Sequence, residues 1–279
     1  MELRAFTNPA EYRDRVLPFL RRNEAQNCLG LGIVDTLVSR PETYPKAYLW
    51  TVNDGGQIVG ASWMTPPHPI GLSEMPEQAL NLLVEEAAHI SDRPKSIVGP
   101  KTQSDLFARK WTDRHRLTIK STMEQRIYQI TEVKMPFSVL GQMRVVDEGD
   151  HVLLEEWSIA FIRDCGLSDS TDTASEYAAR AIKSKSRYLW TLDGKPVSMA
   201  GASGSTPSGI RINWVYTPTE LRGHGYASAV VAALSQKMLS EGRRFCFLYT
   251  DLANPTSNSI YQKLGYLPVC DSAHHTFGT

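Results

Sequence analysis

Two rhythms of apolar and polar positions run along the second half of the chain. Ile210 to Tyr216 is rich in β-forming residues and stops at Thr217-Pro218, which predicts a strand. After a short polar interval, Ala227, Val230, Val231, Leu234 and Met238 recur at helical spacing. Gly242 stands where that helix needs a left-handed end. Phe245-Cys246-Phe247-Leu248-Tyr249 is an unbroken apolar run, the pattern of a strand buried on both faces. Asp251 to Pro255 turns the chain, and a helix over about Ser257 to Leu264 ends at Gly265-Tyr266, with Pro268 beyond. Earlier, Leu80, Leu83, Val84, Ala87 and Ala88 form another helical stripe. Met143–Val146 reads as a strand, and Leu153, Leu154, Trp157, Ala160 and Phe161 as a helix after it.

The chain also repeats itself. Tyr48-Leu49-Trp50-Thr51 recurs as Tyr188-Leu189-Trp190-Thr191, an offset of 140. Gly60-Ala61-Ser62 with Thr65-Pro66 recurs as Gly201-Ala202-Ser203 with Thr206-Pro207, an offset of 141. The turn-forming stretches Asn53-Asp54-Gly55-Gly56 and Asp193-Gly194-Lys195-Pro196 lie between, so each half is expected to carry the same hairpin, with a one-residue difference in the turn. Lys134-Met135-Pro136 and Gly141 mark the boundary, giving domains of 1–135 and 136–279.

Composition narrows the class. The chain has 279 residues, 42% hydrophobic and 22% charged, which suits a packed protein of about two domains. Thirty basic residues balance thirty acidic ones, so nothing in the charge calls for nucleic acid or a membrane as partner. Cys28, Cys165, Cys246 and Cys270 form no CxxC pair, which argues against a zinc or thioredoxin-like motif and fits a reducing cytoplasm. No run approaches the ~20 apolar residues of a membrane span, and a soluble intracellular protein is expected.

The most informative segment is Arg222-Gly223-His224-Gly225-Tyr226-Ala227, set between the strand ending at Thr217 and the helix through Val230. Two glycines one residue apart let backbone N–H groups converge at a helix start, where unpaired amides and the helix dipole suit a phosphate. Arg222 adds a permanent positive charge. A Walker A loop would need Lys after Gly225, and a Rossmann loop a third glycine where Ser228 stands. The pattern Arg-x-x-Gly-x-Ala instead resembles the pyrophosphate loop of the GNAT-type N-acetyltransferase superfamily. Asn254, Asn258 and Tyr261 with Gly265-Tyr266 resemble that family's closing signature. The resemblance covers about 186–271; over the first half it is architectural, through the repeat.

The resemblance implies an α/β (α+β) protein of two tandem acyl-CoA N-acyltransferase folds, each a mixed, mostly antiparallel sheet flanked by helices. The plan is similar to that of glycine N-acyltransferase-like proteins. It implies acetyl-CoA as co-substrate, no metal, and direct attack by a small-molecule or peptide amine. By resemblance, the strand before the loop splays from its neighbour and frees backbone groups at Val215 and Thr217, with Tyr216 between. These would hold the pantetheine arm and thioester carbonyl. Arg222, Gly223, His224, Gly225, Tyr226, Ala227 and Ser228 would hold the pyrophosphate, His224 through its backbone. Asn254 and Asn258 would bind the pantetheine or phosphate portion.

Tyr261 is the candidate catalyst: a phenol near the sulfur can protonate the departing thiolate. Glu220, Asp251, Glu155 and Glu156 are candidate bases by residue type only, and Cys246, in an apolar strand without a His partner, does not suit a covalent route. In the first half Gly71-Leu72-Ser73-Glu74-Met75-Pro76 precedes the helix without Arg or paired glycines, and Phe107 takes the place of Tyr261. One active site, in the C-terminal copy of a monomer or homodimer, is expected. A silent CoA-binding regulator, a longer acyl chain or a mere docking module are the alternatives.

Overall fold

The computed structural model, which describes residues 1–136, 139–165 and 173–279, runs twice through one order of elements. The first pass is β1 (Glu2–Phe6), α1 (Pro9–Leu20), α2 (Cys28–Ser39), β2 (Tyr48–Asp54), β3 (Gln57–Met64), β4 (Ile70–Leu72), α3 (Glu77–His89), β5 (Ser96–Pro100), α4 (Lys101–His115) and β6 (Thr118–Ile130). The second is β7 (Gln142–Val145), α5 (His151–Asp164), α6 (Ala174–Lys183), β8 (Arg187–Leu192), β9 (Lys195–Ser203), β10 (Gly209–Tyr216), α7 (Tyr226–Ser240), β11 (Phe245–Asp251), α8 (Pro255–Lys263) and β12 (Leu267–Gly278).

Packing groups the chain into two units, one of Met1–Ile127, Tyr249–Asn254 and Pro268–Thr279, the other of Tyr128–Leu248 and Pro255–Leu267. The limits expected from the sequence, 1–135 and 136–279, follow chain order. Packing also joins the C-terminal strand to the first unit, where β12 pairs with β5 from Ser272↔Pro100 to Thr276↔Ser96.

In the first unit β1, β2, β3 and β4 pair antiparallel in sequence order, and β4 pairs with β5 in parallel. In the second, β7, β8, β9 and β10 pair antiparallel and β10 joins β11 in parallel. Each sheet is therefore mixed and mostly antiparallel, and the period-two alternation of its strands sends one set of side chains to each face. Leu49 and Trp63 pack with α1 and α2, whereas Trp50 and Met64 pack with α3 and α4. Leu189 and Met199 pack with α5 and α6, whereas Trp190 and Ala200 pack with α7 and α8.

The repeated tetrapeptide thus occupies equivalent strands with equivalent facing. The hairpin register differs. Trp50 opposes Ser62, but Trp190 opposes Ser198, and the connecting residues are Gly55-Gly56 and Asp193-Gly194. Gly201-Ala202-Ser203 consequently lies farther from its turn than Gly60-Ala61-Ser62. The difference is a shift in register rather than one added turn residue. Likeness along a strand fixes which face a side chain takes but not its cross-strand partner.

Candidate active site

The site region of the second unit begins on β10. Its parallel pairing with β11 covers only Gly209↔Phe245, Ile210↔Cys246 and Arg211↔Phe247. On the other side, pairing with β9 breaks between Asn213↔Gly201 and Tyr216↔Met199, and Trp214 in the gap has φ 52°. A positive φ on an aromatic residue is strained and marks a bulge. Val215 therefore has no ladder partner on β9 or β11 among the described pairings. The carbonyls beside it are occupied: Ser198 Oγ donates to Tyr216 O at 3.0 Å, and Arg222 Nε donates to Thr217 O at 3.0 Å. The Thr217 hydroxyl lies 2.9 Å from Ser198 Oγ.

The loop follows after a short 3-10 turn over Thr219–Leu221 that holds exposed Glu220. Gly223 and Gly225 have φ of 84° and 80°, left-handed conformations that a side chain disfavours. Gly225 caps α7, no side chain bonds the helix start, and Ala229 N–H to Gly225 O, 3.0 Å, is the first bond of the ladder. The N–H groups of Tyr226, Ala227 and Ser228 thus have no partner from the helix itself. All three residues are half-buried, and the first turn carries no acidic residue. Exposed Arg222 also donates to Asp164 Oδ2 at 2.6 Å, so its charge stands beside the loop partly matched. His224 is exposed; its Nδ1 lies 3.2 Å from Leu221 O and its ring stacks on Tyr226.

Gly265, at φ 101°, ends α8, the helix that carries Asn258 and Tyr261 one turn apart on one face. Tyr128 donates to Asn258 Oδ1 at 3.1 Å, and Gln262 to Tyr128 Oη at 3.0 Å. Tyr261 is 8% exposed, its ring edge-on to Tyr266, and its hydroxyl makes no hydrogen bond among the described residues. Burial, with a smaller push from Cys165, raises its phenol above the ordinary value, so it keeps its proton. Asn254 sits in the turn after β11, its N–H on Asp251 O at 3.1 Å, and Asp251 is exposed; both pack with the first unit. Glu155 and Glu156 lie on α5, Glu155 4.0 Å from His151. Burial pushes the Cys246 thiol up to about 12, which leaves it inert as a nucleophile.

Sequence reasoning missed the other face of the bulge. Trp214 packs on Phe161 and Tyr177, with ring centroids 4.9 and 5.4 Å away, and the Arg187 guanidinium lies 4.3 Å from the Trp214 ring. Arg187 is 5% exposed, and burial alone lowers its pKa to about 9. A single Arg at a strand start looks like a surface charge, so only packing reveals it. Among the described residues no group of three or more His, Cys, Asp or Glu side chains could hold a metal, and no helix is long and apolar enough to cross a membrane.

The second unit thus presents a mixed sheet opened at a bulge, with a glycine loop leading from it into a helix. Residues 152–266 match the acetyltransferase (GNAT) family model. Solved structures extend the likeness to the whole fold. A GNAT-family acetyltransferase from Colwellia psychrerythraea is 13% identical, with a TM-score of 0.62 over 100% of both chains. A GCN5-related N-acetyltransferase from Sphaerobacter thermophilus is 16% identical, with a TM-score of 0.65 over 98% of this chain and 94% of that one. A tandem GNAT protein from the clavulanic acid biosynthesis pathway is 13% identical, with a TM-score of 0.54 over 99% and 97%. No curated protein matches the chain.

Proposed function

We propose that this protein transfers an acetyl group from acetyl-CoA to a primary amine by direct attack, using one site in its C-terminal copy. The observation that carries the reading is the loss of strand pairing around Val215 on both sides, immediately before the loop with two left-handed glycines. An unpaired N–H at Val215 suits the oxyanion that develops as a neutral amine adds to the thioester carbonyl. The amides from Gly223 to Ser228, with Arg222, suit a diphosphate. Asn258, and Asn254 from the turn after β11, are assigned to the rest of the cofactor.

As the tetrahedral intermediate collapses, the C–S bond breaks and the Tyr261 hydroxyl gives its proton to the leaving sulfur. Its raised pKa means that the phenol is protonated in the resting site. The proton that the amine gives up as the C–N bond forms passes to water, and none of Glu155, Glu156, Glu220 and Asp251 is assigned as its base. The acceptor is a small molecule or peptide, and the reading places the enzyme in the cytoplasm as a monomer or homodimer that engages neither nucleic acid nor membrane.

Calorimetric titration with CoA, followed by thiol release from acetyl-CoA over a panel of amines, tests this. Binding with amine-dependent release is expected. Binding without release on any amine would make the protein a silent CoA-binding regulator, and no binding would leave only a docking role. Faster release from a longer acyl-CoA would replace acetyl as the transferred group.

A further inference from the structure

Arg187 opens β8 on the same face as Leu189, toward α5 and α6. It makes no ion pair or hydrogen bond through its side chain among the described residues, and its buried Nη1 has no partner. The Trp214 ring face lies 4.3 Å from its guanidinium. A buried guanidinium without an anion is costly, because the charge leaves water and gains little in return. Its planar fork of donors matches a carboxylate, which would compensate it.

The surroundings specify the anion's carrier. Arg187 pairs across the sheet with Gly201, and Gly201 pairs in turn with Asn213, so the three lie in one row. Gly201 brings no side chain to the middle of that row, and Asn213 Oδ1 leans over it, 2.7 Å from where a Cβ would stand. Asn213 Nδ2 donates to Ser203 Oγ at 2.8 Å, which directs Oδ1 as an acceptor, and that oxygen is buried without a partner. A donor fork and an open acceptor thus share one row, whose outer residues stand about two strand spacings (~9.5 Å) apart along the backbone. Trp214, under the guanidinium, is the residue before Val215.

We infer that Arg187 binds a carboxylate on the acceptor and Asn213 receives an N–H from its amine, so that the substrate is an amino acid or another carboxylate-bearing amine. The inference rests on the acetyl-transfer reading for the word acceptor, but the carboxylate site itself does not.

The test compares L-leucine and L-phenylalanine with their carboxamides, by calorimetric binding to the CoA-loaded protein and by thiol release. The acids are expected to bind about tenfold tighter than the amides, the effect of a charge-assisted hydrogen bond. In Arg187→Met that preference should vanish while CoA affinity stays unchanged, and Arg187→Lys should restore part of it. The Met variant should also melt higher without ligand, because a purely structural arginine would lose stability on replacement. Equal affinity for acid and amide in the unaltered protein, or none for either, overturns the inference whether or not the variants fold. So does a preference that survives Arg187→Met. Arg187-dependent binding of the acids without thiol release from any amine would sink acetyl transfer and leave the carboxylate site standing.

Discussion

Helices α3 and α7 hold the same place in the two copies, yet their first turns are opposites. Before α7 the backbone passes through left-handed conformations at Gly223 and Gly225, and no carboxylate occupies the turn. Before α3 it arrives through Pro76 in an extended conformation, and Glu77 sits in the first turn, 2.8 Å from Lys110. A cleft of about 430 Å³ beside that start is lined by Arg22, Gln26, Glu74, Met75 and Gln103, with Gln26 donating to the Glu74 carboxylate at 3.1 Å. The strands before the helices differ as well. β4 stops at Leu72, against which Gly99 packs so closely that a Cβ there would stand 2.9 Å from the Leu72 carbonyl oxygen. β10 continues past Arg211, its last residue paired with β11, to Tyr216. One plan therefore yields a closed strand with a carboxylate at the helix start in one copy, and an open strand with bare amides in the other. On the proposed reading, anion binding is a property of backbone conformation and local charge, not of the fold.

Breaking the loop should have the largest effect. Gly225→Val forces a β-branched residue to φ 80° and brings its Cβ to 3.1 Å from Val139 Cγ2. The left-handed backbone alone costs about 1–2 kcal/mol. Displaced amides should cut CoA affinity by ~10²-fold or more. Calorimetry reads the loss; unchanged affinity would mean that the cofactor binds elsewhere.

Next comes the pair Tyr261 and Phe107. Tyr261→Phe should lower kcat by ~10²-fold or more, the usual range for a proton donor, and leave CoA affinity within about twofold. A parallel fall in both would indicate a packing role instead. The reverse change in the first unit, Phe107→Tyr, buries a hydroxyl at a site that is 0% exposed. A lone buried hydroxyl costs about 1–3 kcal/mol, readable by urea unfolding, and no thiol release should be gained.

These residues were legible from the sequence to different degrees. The loop, the α7 stripe and the glycines that end α7 and α8 were readable because each is a local signal: φ above zero wants glycine, and a buried face wants helical spacing. The bulge was not, since Asn213-Trp214-Val215-Tyr216 has the composition of an ordinary strand, and only its broken pairing reveals Trp214 at φ 52°. Pairing of Ser272–Thr276 with β5 joins segments far apart in the chain, which no local pattern encodes. For Arg187 the sequence pointed the other way, because a single arginine at a strand start normally faces water.

The smallest effect separates the two causes named in the comparison, charge and backbone. Lys110 beside Glu77 holds its carboxyl below the ordinary value, with the hydrogen bond the larger part. A depressed folded pKa contributes stability that is present above the unfolded value of about 4.5 and is lost as pH falls through the folded one. Glu77→Gln should therefore lower Tm slightly at pH 7, and the difference from the unaltered protein should close as the solution is acidified below 4.5. Placed in the Gly225→Val background, where the second unit is silenced, Glu77→Gln also clears the α3 turn of its carboxylate. No CoA affinity should appear, because α3 still lacks the left-handed glycines that turn amides toward an anion. Recovered binding in that double variant would mean that charge, rather than backbone conformation, distinguishes the two copies.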